Sequence, residues 1–195
     1  KVLNNKNIKS FKNINVKIER KKGKWKLSGK ENSKHYDHVV LCVHSNQVKQ
    51  VIQDIRYNHS NIFSGIKYNK NNVYLHSDES LMPKNKKAWA SWNYVESKSQ
   101  LSVTYWMNLL QDLKTNKNYF VSLNPIKIPK QKKIEKVIIY EHPAYDLQTF
   151  KSQKEVELIQ GFNNIWFCGA YLGYGFHEDG IKSGKRVASE IMRKF

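Results

Sequence analysis

The sequence predicts an α/β (α+β) chain, in which parts of a mixed sheet accompany a run of antiparallel strands. Three observations predict it. Val16 to Ser28 alternates apolar and polar residues around a lysine–glycine turn, the pattern of a hairpin. Tyr36 to Val43 (YDHVVLCV) is a nearly continuous β-rich apolar run, which suits a strand buried on both faces of a parallel sheet. Ile165 to Cys168 (IWFC) leads through a glycine-rich loop into a stretch of helical periodicity.

Each element follows from local chemistry. The first thirty residues read as paired strands, with Val16-Lys17-Ile18-Glu19 and Trp25-Lys26-Leu27-Ser28 on either side of Lys21-Lys22-Gly23-Lys24. His44-Ser45-Asn46 closes the apolar run and caps a short helix from Gln47 to Ile55. Val73 to His76 reads as a strand, and Pro83 among lysines as a loop. Ala88 to Tyr94 and Leu101 to Met107 read as strands with alternating faces, which puts Trp92 and Tyr94 on one face and Tyr105 and Met107 on one face. Asn108 to Leu113 suits a short helix; Tyr119–Leu123 and Val137–Tyr140 suit strands. Phe150, Val156 and Ile159 have helical spacing. The closing helix, from Glu178 to Lys194, carries Ile181, Val187, Ala188, Ile191 and Met192 on its apolar side.

Composition narrows the function. The chain has 195 residues, 39% of them hydrophobic and 12% aromatic, which predicts a packed core rather than disorder. The net charge of +18 is carried by scattered lysine, with arginine only at Arg20, Arg56, Arg186 and Arg193. Nucleic-acid readers lean on the arginine fork, so this charge reads as a coding bias toward AT-rich codons, and no nucleic-acid partner is expected. No apolar run approaches the ~18 residues of a membrane span and no signal peptide opens the chain, so no transmembrane segment and a cytoplasmic location are expected. Cys42 and Cys168 sit inside apolar runs and read as small buried hydrophobes, without disulfide framework or ligand spacing. Seven histidines show no metal-site spacing, so no metal is expected. No Ser-His-Asp arrangement supports a hydrolase, and no catalytic base stands out.

The informative segment is Ile165 to Ala188, with glycines at 169, 173, 175 and 180 between a strand and a helix. Missing Cβ atoms let backbone approach a flat ligand, and a helix N-terminus offers free N–H groups to an anion. The same glycines also suit a tight connection, and Glu178 and Asp179 suit the first helical turn on dipole grounds alone. His177 reads equally as a cofactor contact or a cap.

Gly169-Ala170-Tyr171, Gly173-Tyr174-Gly175-Phe176-His177-Glu178-Asp179-Gly180 and Ser183-Gly184 resemble the C-terminal flavin-contacting motif of the amine-oxidase-like FAD-dependent oxidoreductases, in a bacterial group of predicted NAD/FAD-binding proteins. Tyr36–Ser45 resembles that family's return strand. Leu75–Asp78, Met82-Pro83, Ala88–Tyr94, Val103–Asn108, Ser122–Pro125 and His142-Pro143 resemble its substrate-domain motifs in the same order. The resemblance implies the C-terminal part of a two-domain flavoprotein. Residues 1–45 would be part of the FAD domain, 46–160 the substrate domain, and 161–195 the closing FAD-domain segment. It implies adenine contacts at the backbone of Val16, isoalloxazine contacts along Gly169–Gly175, and the flavin O2 edge facing Gly180 and Ile181. Trp92, Tyr94 and Tyr105 read either as an aromatic substrate pocket or as sheet packing. The family's Gly-x-Gly-x-x-Gly turn is absent, so FAD binding is expected to need a separate N-terminal polypeptide. The alternatives are a non-catalytic remnant or subunit of a split flavoprotein, and a basic nucleic-acid or membrane module. In the intact protein, Gly175→Val is expected to abolish flavin retention and leave the fold largely intact.

Overall fold

The computed structural model describes residues 5–12, 14–29, 33–54, 59–97 and 100–194. The expected helix end at Ile55, the side chain of Arg56 and the termini Lys1 and Phe195 lie outside them. The chain divides into two compact units, Lys1–Tyr68 with Pro143–Phe195, and Asn69–His142.

In the first unit, strand pairing starts at Lys17. β1 (Lys17–Lys21) and β2 (Lys24–Ser28) form the expected antiparallel hairpin, Lys17 opposite Ser28 and Lys21 opposite Lys24. Lys22 and Gly23 turn it at φ 49° and 80°, the left-handed pair that matches strand twist in a two-residue loop. A third strand, β3 (Ser33–Tyr36), pairs with β2. It is exposed at every position, so it carries no hydrophobic period to read. β4 (Val39–Leu41) pairs in parallel with β10 (Ile165–Phe167). Val39 and Leu41 are buried but Val40 is 41% exposed, which corrects the expectation of burial on both faces. Only one face of this two-stranded sheet is covered at β4.

The helix expected from Gln47 is a short 3-10 turn, Ser45–Gln47, followed by α1 (Val48–Val51). It stops early because Ile52 bridges Ile18 in parallel and Gln53 N–H donates to the Ile18 carbonyl at 2.9 Å. α2 (Ser60–Ser64) follows. α4 (Leu147–Leu158, named in chain order) starts on Asp146, whose carboxylate accepts the Thr149 N–H at 2.8 Å. α5 (His177–Met192) closes the chain. Val187 is buried beside Trp166 and Cys168, with Ile191 packed against them. Ile181, Ala188 and Met192 are exposed, so the apolar side buries a narrower stripe than its spacing predicts.

One core joins Ile18, Trp25, Val39 and Leu41 to Val48, Ile52, Phe63, Val156 and Phe167. Val48, Ile52, Phe63, Ile66 and Val156 thus share one core with Ile18 and Trp25. The far edge of β10 is closed by a side chain. The Gln160 amide accepts the Phe167 N–H at 2.9 Å and donates to its carbonyl at 2.6 Å, standing in for a strand. Among the described residues β4 pairs with no strand but β10.

The second unit is built on a five-stranded sheet. Its order is β6 (Trp92–Ser97), β7 (Gln100–Trp106), β8 (Phe120–Leu123), β5 (Tyr68–His76) and β9 (Ile134–Pro143). The strand expected from Ala88 begins only at Trp92, because Asn85 caps a 3-10 turn, Lys86–Ala88, before it. Met107 opens α3 (Met107–Leu110) instead of ending a strand.

The sheet buries a polar layer on one of its faces. Asn93, Thr104 and Ser122 are cross-strand neighbours on one face and are buried with His76. Trp92 and Tyr94, on the other face, are 49% and 59% exposed. The buried polar groups satisfy one another. His76 Nδ1 accepts the Asp78 N–H at 3.0 Å, which leaves Nε2 to donate to Ser122 Oγ at 2.8 Å. The Ser122 and Thr104 hydroxyls share a hydrogen bond at 2.7 Å. With its Nε2 proton on the serine side, His76 is no base toward Ser122.

Burial pushes His76 down to about 4 from its ordinary 6.5, against the opposing pull of Asp78. Above pH 6.5 both folded and unfolded chains are neutral here. As pH falls toward 4, the unfolded chain takes up a proton that the fold refuses, so stability falls by up to about 3 kcal/mol. The His76 imidazole, followed by NMR, is expected to stay neutral to about pH 4; titration near 6.5 contradicts the network. His76→Leu is expected to cost roughly 1–3 kcal/mol at pH 7, because Ser122 and the Asp78 N–H lose their partner. Urea unfolding measures that loss.

Candidate functional site

The glycine-rich loop leaves the sheet where β10 ends. Cys168 N–H donates to the Leu41 carbonyl at 3.0 Å, carrying the parallel pairing one residue further. Ser183, nearly two turns into α5, accepts the Gly169 N–H at 3.0 Å and donates to the Gly180 carbonyl at 2.8 Å. A 3-10 turn, Ala170–Leu172, follows, and the Gly173 and Gly175 N–H groups both return to the Ala170 carbonyl at 3.1 Å. Gln153 on α4 grips the outside of the turn, its Nε2 donating to the Tyr171 and Gly173 carbonyls at 2.9 and 2.7 Å. Sequence reasoning missed Gln153, since nothing in a polar helical position signals a contact with a loop so far along the chain.

Asp179 organises the helix entry. Its Oδ2 accepts the Tyr174 and Phe176 N–H groups, each at 3.0 Å. The Asp179 and Gly180 N–H groups return to the Phe176 carbonyl at 3.0 and 3.2 Å. The His177 and Glu178 amides have no acceptor among the described residues and point from the helix start. These two amides, rather than those of Gly180 and Ile181, are the open donors.

Two glycines have identifiable structural reasons. A Cβ on Gly173 would stand 2.5 Å from the Asp179 carboxylate carbon. Gly175 has φ +91°, and its Cβ would stand 2.5 Å from Tyr145 Oη. The loop's own packing therefore requires both, whatever lies outside it. Tyr174 and Phe176 are 67% and 64% exposed, and the Tyr174 ring stands edge-on to Phe150 at 6.1 Å. The His177 side chain is exposed with no hydrogen bond among the described residues, and Glu178 pairs with Lys182 at 3.7 Å. Val16 lies just outside β1, partly exposed.

Beneath the loop lie phenols with no hydrogen-bond partner. The Tyr145 and Tyr171 hydroxyls are buried and unpaired. Burial pushes Tyr145 up to about 12 and raises Tyr171 well above the ordinary tyrosine range. For an isoalloxazine, the fit is to the rim. Two free amides and exposed aromatic residues are available at one turn, while no group of this segment replaces a pyrophosphate turn.

The other candidates stand in the second unit. Trp92 and Tyr105 are register partners with rings edge-on at 5.5 Å, and Tyr94 continues the same face. Burial, and then Tyr94, raise the Tyr105 phenol. Among the described residues no three His, Cys, Asp or Glu side chains could hold a metal, and no helix is long and apolar enough to cross a membrane.

No protein-family model and no curated protein matches the chain. Solved structures do. A provisionally named protoporphyrinogen oxidase from Exiguobacterium sp. 255-15 superposes with TM-score 0.63 at 13% identity, over 93% of this chain and 47% of that one. A fatty acid isomerase from P. acnes, described as CLA-producing, superposes with TM-score 0.59 at 16% identity, over 91% of this chain and 47% of that one. The expected mixed α/β class is the fold this likeness shows. The chain spans about half the length of the structures it matches.

The packing of Gly175 revises the expectation for Gly175→Val. Positive φ and the Tyr145 hydroxyl make the substitution destabilising even without any ligand. Gly175→Ala is expected to cost about 1–3 kcal/mol. Combining it with Tyr145→Phe should recover part of that, a coupling that a double-mutant cycle of thermal unfolding measures. Strict additivity would contradict the contact.

Proposed function

We propose that the chain is the C-terminal part of an amine-oxidase-like FAD-dependent oxidoreductase, completed by an N-terminal dinucleotide-binding segment. The observation that carries this reading is β4. It is a parallel strand with its inner edge on β10 and no second strand among the described residues, and β10 feeds a glycine loop and a helix N-terminus. Parallel sheets are normally extended and covered, and the neighbouring structures are twice as long. The missing segment would add a parallel strand to β4 and bring the Gly-x-Gly-x-x-Gly turn.

When bound, FAD would supply the redox chemistry by accepting a hydride from a substrate C–H bond. This chain's part is to hold and orient. The His177 and Glu178 amides would donate to the acceptor edge of the flavin, the Tyr174–Phe176 backbone would lie along the ring, and Val16 would meet the adenine. Trp92, Tyr94 and Tyr105 would offer the substrate an apolar wall; their exposure supports a contact surface over simple sheet packing.

The 195-residue chain purified alone is expected to carry no stoichiometric flavin. Co-expressed with a polypeptide bearing the Gly-x-Gly-x-x-Gly strand–turn–helix, such as one from the neighbouring reading frame, it is expected to retain flavin and show its visible absorbance. Tight flavin binding by the chain alone removes the need for a partner. A colourless reconstituted pair overturns the flavoprotein reading.

A further inference from the structure

The parallel pairing that launches the loop also joins two thiols. Leu41 is opposite Phe167, so the next residues on each strand, Cys42 and Cys168, are side by side. Their sulfurs are 3.1 Å apart. Both are free thiols, Cys42 exposed and Cys168 buried. The exposure of Cys42 corrects its reading as a buried hydrophobe, because the apolar run that holds it surfaces where β4 ends. Adjacent strands lie at a spacing within the Cα range that disulfides span. One thiol accessible to solvent and one held behind it is the arrangement of an attacking and a resolving cysteine.

We propose that Cys42 and Cys168 form a reversible dithiol–disulfide couple that is oxidised by hydroperoxides, with Cys42 attacking and Cys168 resolving. The proposal rests on the thiol geometry and does not depend on a bound flavin. The Cys42 sulfur, as thiolate, attacks one peroxide oxygen. The O–O bond breaks, and the departing hydroxide leaves as water with the proton lost from Cys42. Cys42 is now a sulfenic acid, oxidised by two electrons. The Cys168 sulfur attacks the Cys42 sulfur, an S–S bond forms, the S–O bond breaks, and hydroxide leaves as water with the Cys168 proton. Two thiols and one hydrogen peroxide give one disulfide and two waters. An external thiol reverses the change by exchange.

The environment supports the direction of attack. The Cys168 S–H donating to it lowers Cys42 to about 7, while the same contact, and then burial, raise Cys168. A thiolate population at neutral pH is what peroxide reactivity requires. The bond would staple β4 to β10 one residue before Gly169, where the loop begins.

The test uses the full 195-residue chain, treated with stoichiometric hydrogen peroxide, alkylated and digested without reductant for mass spectrometry. The expected product is an intramolecular Cys42–Cys168 cross-link that dithiothreitol removes. In Cys168→Ala, Cys42 is expected to be trapped as sulfenic acid by a dimedone probe and to proceed to sulfinic acid. Its alkylation at pH 7 should slow roughly tenfold as it returns toward an ordinary cysteine. Wild-type protein whose Cys42 goes to sulfinic acid beside a reduced Cys168, whose thiols form only intermolecular bonds, or whose thiols stay unoxidised overturns the proposal.

Discussion

The pairing of β4 with β10 is the contact on which the first unit depends. Each strand is three residues long, and the thiols that flank the pairing are 126 residues apart in sequence. Closing a loop of that size costs about 4 kcal/mol in chain entropy. Burial of Ile165, Trp166 and Phe167, each 0–1% exposed, offsets it at roughly 2 kcal/mol apiece. Six residues of parallel ladder thus carry the core, the start of the glycine loop and the thiol pair. The ladder is finished differently on its two sides. Gln160 closes β10 with a side-chain amide, and among the described residues the outer edge of β4 has no strand. An edge left open beside a closed one is where further chain would add most cheaply, because its N–H and C=O groups already point outward.

In the second unit the constraint is register. A one-residue slip of β7 would carry Thr104 to the aromatic face, separate it from Ser122, and bring Tyr105 into the polar layer. Partly satisfied polar layers are costly, so the network selects one alignment where apolar packing alone would tolerate several. The same choice leaves Trp92 and Tyr94 outward. Exposed aromatics that do not stabilise the unit by burial are available for contact, which is why that face, rather than the polar one, is the surface to test for substrate.

What the sequence made legible followed from period and from turn chemistry. The hairpin could be read because Ile18 and Trp25 are buried among polar neighbours and Lys22-Gly23 turns between them. β4 and β10 were each legible as strands from their apolar density, but their pairing with each other was not, and Val40 is exposed where burial on both faces was expected. β3 could not be read, because SKHY has no buried side. α1 was overestimated since periodicity cannot show that Ile52 leaves the helix to meet Ile18. The polar layer was hidden for a different reason: alternation marks two faces without saying which is inside, and a serine–threonine–histidine face is ordinarily the wet one. In the loop, the glycines were visible as glycines, but their reasons were not. Asp179 behind Gly173 and Tyr145 behind Gly175 are contacts of the folded turn, one local and one from thirty residues upstream.

Asp179 bears on how the helix start could serve a cofactor. A bare helix N-terminus attracts anions through its dipole and its free amides together. Here the Asp179 carboxylate already sits on the Tyr174 and Phe176 amides, and Glu178 stands beside it, so two negative charges occupy the first turn. They weaken the dipole's pull on a phosphate within a few ångströms. The His177 and Glu178 N–H groups are left as directional donors with little net positive field behind them. Such an end suits a neutral acceptor edge held by geometry better than a full phosphate charge. It is therefore consistent with a loop that meets the ring of a dinucleotide cofactor and leaves the pyrophosphate to another segment.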